Sequence, residues 1–471
     1  MKIRFIPILL TVLCSTPNIF AVSNGSSNDT IAVMTLHDCM EYAVKYSTKN
    51  EIQKLDNSDK RIERRDAILK AFTPSVSAGT YAYTNFGRAV DPETNTYINS
   101  TSFNNGYSIN ASLTLFDGFS AIDNIKISQT AVKMGISEEE KLRNELCLAV
   151  MEAYCNVLFH SEMTEVLTEQ VEIAKTNLNL INKQYELGQK SYPDVAQTEA
   201  DLADKEYLLV NSVNSRDDAL LTLKSIMLWP IEKELRPDMS MLENDNYSIL
   251  FDNESEDEII NYALATQPSV LIAEGSLKKA KYALHTAKWQ FLPSLSLSGG
   301  WSTSFYSYPG RADSQTPSFW SQWKNNSGQY IQLNLSIPIY DRLSRFSNLS
   351  KKRNDYRRAE AQYRQTLQDV ESEVSRALQD KRGAIKALVH AEKKSDAQKE
   401  TFLLHEKKMK QGLISPVEYQ TISNSYLNSC AEKLDARLKL FLKNSVVNYY
   451  KGIGYLEQNS RREGVKGRNI Y

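Results

Sequence analysis

The sequence predicts a mainly α-helical protein with a β-barrel portion, built from one helix–strand–strand–long helix–helix unit used twice. Three observations carry this. Matched segments recur in the same order at offsets from 219 (Phe72 to Phe291) to 224 (Gly188 to Gly412) residues. Four segments alternate apolar residues with small polar ones at strand spacing. The stretches that follow the second strand of each unit carry a coiled-coil repeat far longer than a globular domain.

The chain opens with "MKIRFIPILLTVLCSTPNIFAVSNGSS". Lys2 and Arg4 precede an apolar run, Phe5 to Leu13, that is too short to span a bilayer. Small residues follow between Ala21 and Asn24. Residues 1–23 therefore read as a signal peptide for export. A lipoprotein-type Cys14 competes with this, but Leu13 before it is too bulky for the usual small residue. Later in the chain no apolar run is long enough for a transmembrane helix. The exported protein is then either soluble or a membrane β-barrel.

Two copies of the unit follow, at 24–230 and 257–455, with a polar, turn-rich linker at 231–256 and a tail at 456–471. "EYA" at Glu41 to Ala43 matches "NYA" at Asn261 to Ala263. "FTPSVSAGTYAYT" from Phe72 matches "FLPSLSLSGGWST" from Phe291, and "YSINASLTLFDG" from Tyr107 matches "YIQLNLSIPIYDR" from Tyr330. "YELGQKSYPD" from Tyr185 matches "MKQGLISPVE" from Met409. Four matches in register define an internal duplication. Thr35 is the expected N-cap of the first helix.

Strands are expected at about 73–86, 105–116, 292–307 and 329–340. On the last, Ile331, Leu333, Leu335, Ile337 and Ile339 share one face, and Gln332, Asn334 and Ser336 the other. Tyr107, Ile109, Ala111, Leu113 and Leu115 alternate in the same way with Ser108, Asn110, Ser112 and Thr114. Leu295, Leu297, Gly299 and Trp301 alternate with serines. A sandwich strand packed on a soluble core would also alternate. Here the polar face is small and rich in Ser and Asn rather than charged, which suits lipid on one side and a wet lumen on the other. Four strands cannot close a barrel, and lipid does not tolerate open sheet edges. The strands must be pooled between copies: a trimer gives a twelve-stranded barrel, an even number within the known range.

Helical hairpins are expected at 118–228 and 342–452, with tips at 188–194 and 412–418. From Leu146, residues Val150, Ala153, Val157, Leu167, Val171, Ala174, Leu178, Ile181 and Tyr185 repeat in steps of four and three, interrupted only at His160 and Thr164. The second unit is looser and Ala-rich: Val370, Val374, Ala377, Ala384, Leu388 and Ala391. A continuous helix from Ser120 to Glu186 is about 100 Å long.

Net charge is −1, which gives no pointer to nucleic acid. Cys147 and Cys155 lie about 12 Å apart along one helix and cannot bond each other. Cys39, Cys147, Cys155 and Cys430 read as free thiols. The sequence has no phosphate-binding loop, no nucleophile elbow and no zinc-binding HExxH. No catalytic, cofactor or metal residue is assigned, and the chain is not expected to be an enzyme.

The duplicated plan, the "LFDG" and "IYDR" strand-to-helix junctions and the twin Gly-x-x-Ser turns resemble the TolC-type outer-membrane efflux family over essentially the whole mature chain. The loop "NFGRAVDPETNTYIN", Asn85 to Asn99, is similar to loops of its Bacteroidetes members. The resemblance implies a homotrimeric β-barrel in the outer membrane, continued by a coiled-coil α-helical periplasmic tunnel. It implies a passive exit duct for a tripartite efflux or type I secretion system, with a periplasmic adaptor and an inner-membrane transporter (RND, ABC or MFS type) as partners. The twin turns become adaptor-docking tips. Gly188 and Gly412 would take positive φ, Ser191 and Ser415 would cap the returning helices, and Pro193 and Pro416 would fit their first turns. A well-capped turn with no docking role would use the same residues.

By position, the resemblance places Glu418 and Thr421 at the tunnel aperture and makes Asp194 a candidate hairpin latch. The family's latch partners are a Tyr and an Arg. Here those positions hold Met409 and Ile414, so the closed state must be held differently. As first-turn acids, Asp194 and Glu418 would also simply favour the helix dipole. Two other functions fit parts of the sequence: an exported structural or adhesive coiled-coil surface protein with a small β head, and a periplasmic adaptor. An adaptor would carry one hairpin, and two are present.

Overall fold

A computed structural model describes residues 32–90, 95–99, 101–239, 255–309 and 316–458. The signal peptide, Cys14, and most of the linker and tail lie outside the described residues. The first unit comprises β1 (Ala32–Met34), α1 (Leu36–Tyr46), α2 (Thr48–Phe72), β2 (Ser75–Asn85), β3 (Arg88–Val90), β4 (Tyr97–Asn99), β5 (Ser102–Phe116), α3 (Ser120–Glu186) and α4 (Tyr192–Met227). A short β6 (Leu235–Pro237) follows. The second unit comprises α5 (Glu256–Thr266), α6 (Pro268–Trp289), β7 (Ser294–Ser307), α7 (Phe319–Asn325), β8 (Gly328–Ser336), α8 (Ser344–Lys410) and α9 (Pro416–Tyr450).

The leading helix of each unit is two helices rather than one. Ser47 ends α1 in extended backbone and caps α2 by accepting the Asn50 N–H. Gln267 is likewise extended before Pro268, as the residue before a proline prefers. Thr35 caps α1 in a reciprocal box with Asp38. The linker also holds structure: β6 pairs in parallel with β1, Ala32 opposite Leu235. The Tyr154 hydroxyl donates to Asp238 O at 2.9 Å and ties this small sheet to α3.

The large sheet is antiparallel in the order β2-β5-β7-β8, so the two units join at β5–β7 and leave β2 and β8 as edges. Its register lines up the faces. Val76, Ala111, Gly299 and Ile331 form one cross-strand row, and Ser75, Ser112, Ser298 and Gln332 the next. Because adjacent residues point to opposite sides, the apolar face continues along β5, β7 and β8 through Ile109, Leu113, Leu297, Trp301, Leu333 and Leu335, whereas β2 is mixed, with Ala78 and Thr80 on that side and Tyr81 and Tyr83 on the other. Ile331, Leu333 and Leu335 are 86%, 62% and 59% exposed in the single chain.

One match read from the sequence is out of step. Tyr107 lies on the apolar face, but Tyr330 stands opposite Gly300 in a polar row and its hydroxyl donates to Asn110 at 3.1 Å. The pleat puts Tyr107 in correspondence with Ile331. A bulge between Thr114 and Phe116 accompanies this at the base of β5.

Below the sheet, α2 packs on α3, α3 on α6 and α6 on α8, continuing the strand order as a wall of helices. Lower still, α3 pairs with α4 and α8 with α9. The main core lies where α1, α3, α4, β6 and α9 meet, around Met40, Val150, Tyr154, Leu158, Leu223 and Met227. On α3 the seam residues Val150, Ala153, Val157, Leu167, Val171, Ala174 and Ile181 are buried, while Tyr185 is exposed. Thr164 does not break the seam. Its hydroxyl pairs with that of Ser212 on α4 at 2.9 Å. Cys39, Cys147 and Cys155 are buried thiols that burial pushes up to about 12, and Cys430 is a half-buried thiol.

Candidate functional site: the paired hairpin tips

The two hairpin tips are the same turn. Gly188 and Gly412 have φ +70 and +72, with open space around them. At the first, Gln189 N–H reaches Gln184 O at 2.8 Å and Gly188 N–H reaches Tyr185 O at 2.9 Å. At the second, Leu413 N–H reaches Lys408 O at 2.9 Å and Gly412 N–H reaches Met409 O at 3.0 Å. Each is a Schellman closure, and glycine takes the left-handed residue that the closure demands. Extended Ser191 and Ser415 then cap the returning helices. Pro416 opens α9, and Pro193 is the second residue of α4.

The carboxylates differ. The Asp194 carboxylate folds back onto its own cap, accepting from Ser191 N at 3.1 Å and from Ser191 Oγ at 2.7 Å. The Ser191 hydrogen bonds hold its carboxyl below its ordinary range. Glu418 donates its backbone N–H to Ser415 Oγ at 3.2 Å, but its carboxylate points away, 54% exposed and 4.0 Å from His405 Nε2. Exposed Thr421 stands one turn above Glu418. Its hydroxyl donates to Val417 O at 3.0 Å. The structure thus brings Glu418 and Thr421 together on one side of α9, with Asp194 on the other tip.

Met409 and Ile414 take part in an apolar cluster. Ile181, Phe402, Met409 and Tyr419 are buried together, with Ile173, Val195, Ile414, Ile422 and Tyr426 around them. Phe402 stacks on Tyr426 at 4.9 Å. The cluster draws on α3, α4, α8 and α9, so it joins the two hairpins behind their tips.

A polar layer lies beside it that sequence reasoning missed. Gln197 donates to Gln420 at 2.9 Å, Ser423 donates to Gln170 at 3.2 Å, and Lys205 Nζ donates to Asn424. Lys205 is 1% exposed, and Asp201 one turn earlier is 6% exposed. Burial pushes the Asp201 carboxyl upward against the Lys205 charge, and burial lowers the Lys205 ammonium against the Asp201 charge. A signal existed. Counting back by sevens from buried Ala219 reaches Ser212, Lys205 and Thr198, all buried. Among the described residues no group of three or more His, Cys, Asp or Glu is placed to hold a metal. Nor is any described helix long and apolar enough to cross a membrane.

A sheet with one apolar face, carried on a wall of long helices that end in paired tips, defines an outer-membrane channel architecture. The sequence profile described as "Outer membrane efflux protein" matches residues 58–227 and 259–444, and the chain belongs to that family. It is an outer-membrane efflux protein and not an enzyme. No curated protein matches the sequence. Solved structures share the fold. CusC superposes with a TM-score of 0.75 at 14% identity, covering 92% of this chain and 96% of CusC. The CmeC outer membrane channel of Campylobacter jejuni gives 0.71 at 16% identity, covering 96% and 95%. The open-state MtrE outer membrane channel of Neisseria gonorrhoeae gives 0.69 at 18% identity, covering 91% and 90%.

Proposed function

We propose that three copies of this chain close a twelve-stranded barrel over a helical periplasmic tunnel and conduct substrates passively out of the cell. The observation that carries this is the pair of open edges. Among the described residues β2 and β8 each have one unpartnered side, and α2 and α8 lie at the matching ends of the helical wall. Open edges on a lipid-facing sheet require partners, and a second and third copy supply them with the same antiparallel geometry. Energy and substrate choice come from an inner-membrane transporter joined through a periplasmic adaptor, in a tripartite efflux or type I secretion system. The six tips of the trimer are the adaptor's docking points, and Glu418 with Thr421 lines the aperture. Asp194, spent on its own cap, contributes to tip shape. The apolar cluster around Met409 and the polar layer around Lys205 hold the hairpins closed in place of the family's latch.

The test is the mass of the detergent-solubilised protein, read with its heat-modifiable migration. A trimer that migrates differently before and after boiling is expected. A monodisperse, fully folded monomer would overturn the barrel.

A further inference from the structure

The extracellular end of the sheet, farthest from the long helices, is not finished by strands. β8 stops at Gly328, opposite Ser302, while β7 continues to Ser307. Among the described residues no strand pairs with that side of β7 beyond Ser302, and α7 with its flanks takes the place of one. Asn326 donates to Ser304 O at 2.8 Å. The Gln322 amide accepts from Tyr306 N at 3.0 Å and donates to Tyr306 O at 2.9 Å, as a neighbouring strand would. Gln322 is 3% exposed. Thr303 Oγ1 fastens the helix from below, donating to Trp323 O at 2.9 Å.

The helix lies on the apolar face of the sheet. Trp323 packs on Tyr107 at 4.7 Å and on Trp301 at 5.5 Å, and Phe319 packs on Phe305 at 5.2 Å. Tyr107, Trp301 and Phe305 share that face with Ile109, Leu113 and Leu297. The adjacent, outward side of α7 carries Trp320, 74% exposed, and exposed Lys324 one turn later. The ring contacts of Trp320 are with Phe319 and Trp323 of its own helix, at 5.4 and 6.4 Å, and they leave most of the indole uncovered. An aromatic and a cation at one turn's spacing match the boundary between acyl chains and anionic head groups.

We propose that α7 is an interfacial anchor whose partner is the outer-leaflet lipid around the barrel. Trp320 sits at the acyl–headgroup border and Lys324 meets anionic head-group oxygens. Three such helices ring the trimer and fix its height in the membrane. The anchor rests on the barrel reading above, because it needs the apolar face to meet lipid. Continuity with that face favours lipid over a protein occupant.

The experiment uses the full chain reconstituted in liposomes, with Trp229, Trp289, Trp301 and Trp323 changed to Phe so that Trp320 is the reporter. Lipids brominated near the head group should remove most of its emission, deeply brominated lipids less, and aqueous iodide little. The difference between wild type and Trp320→Phe gives the same reading where the fourfold variant folds poorly. Quenching by iodide but not by brominated lipid places Trp320 in water and overturns the anchor. Protection from both quenchers means that protein covers it, a neighbouring copy included, and also overturns it. Failure to insert at all, seen by flotation and unchanged heat-modifiability in the wild type, removes the barrel reading itself.

Discussion

Replacing Leu333 by arginine is the sharpest test of which way the sheet faces. Leu333 stands near the middle of β8, opposite Leu297 in an apolar row, and is 62% exposed in the single chain. If that exposure is to lipid, an arginine there costs about 2–4 kcal/mol per protomer near the midplane. Three copies bring the total to about 6–12 kcal/mol for the trimer, as large as the whole stability of an ordinary domain. The neighbouring Asn334 faces the other way, opposite Ser296 in a polar row. Arginine at Asn334 stays in lumen water at little cost. The assay is the fraction of heat-modifiable trimer recovered after folding into liposomes across a urea series. Leu333→Arg should lose most of it, and Asn334→Arg should track the wild type. Equal losses, or a larger loss for Asn334→Arg, would refute the assignment of lipid and lumen faces.

Two further outcomes concern the periplasmic end. Glu418→Ala should reduce cation selectivity in planar bilayers and weaken block by trivalent cations from the periplasmic side, whereas Thr421→Asp should strengthen both. Trimer recovery should not change, since both side chains are exposed. An unchanged channel would leave Glu418 only a first-turn acid favoured by the helix dipole. Lys205→Ala removes the donor to Asn424 and the positive charge that offsets buried Asp201, a loss of about 1–3 kcal/mol, while Lys205→Met with Asp201→Leu should recover most of it. The thermal midpoint reports the loss. Single-channel conductance should rise in Lys205→Ala as the hairpins loosen. A single variant as stable as wild type would show that the pair does not hold the seam.

Much of this protein was legible in its residues because the forces involved are local or periodic. The α3 seam follows from apolar spacing, and the tip turns follow from Gly188 with Ser191 and Gly412 with Ser415, since left-handed backbone and N-caps select those residue types within one turn of chain. The faces of β5, β7 and β8 follow from alternation alone, whereas on β2 Tyr81 and Tyr83 fall on the side of the serines. What required the tertiary structure depends on partners distant in sequence. Strand alignment by letters paired Tyr107 with Tyr330, but the pleat, whose period is two, pairs Tyr107 with Ile331. The linker gained β6 only because β1 lies beside it. The buried Lys205 looks like any surface lysine until Asn424, on a helix from the other unit, closes over it. The short α7 exists where β8 has ended and β7 still needs hydrogen bonds, a demand that only the assembled sheet creates.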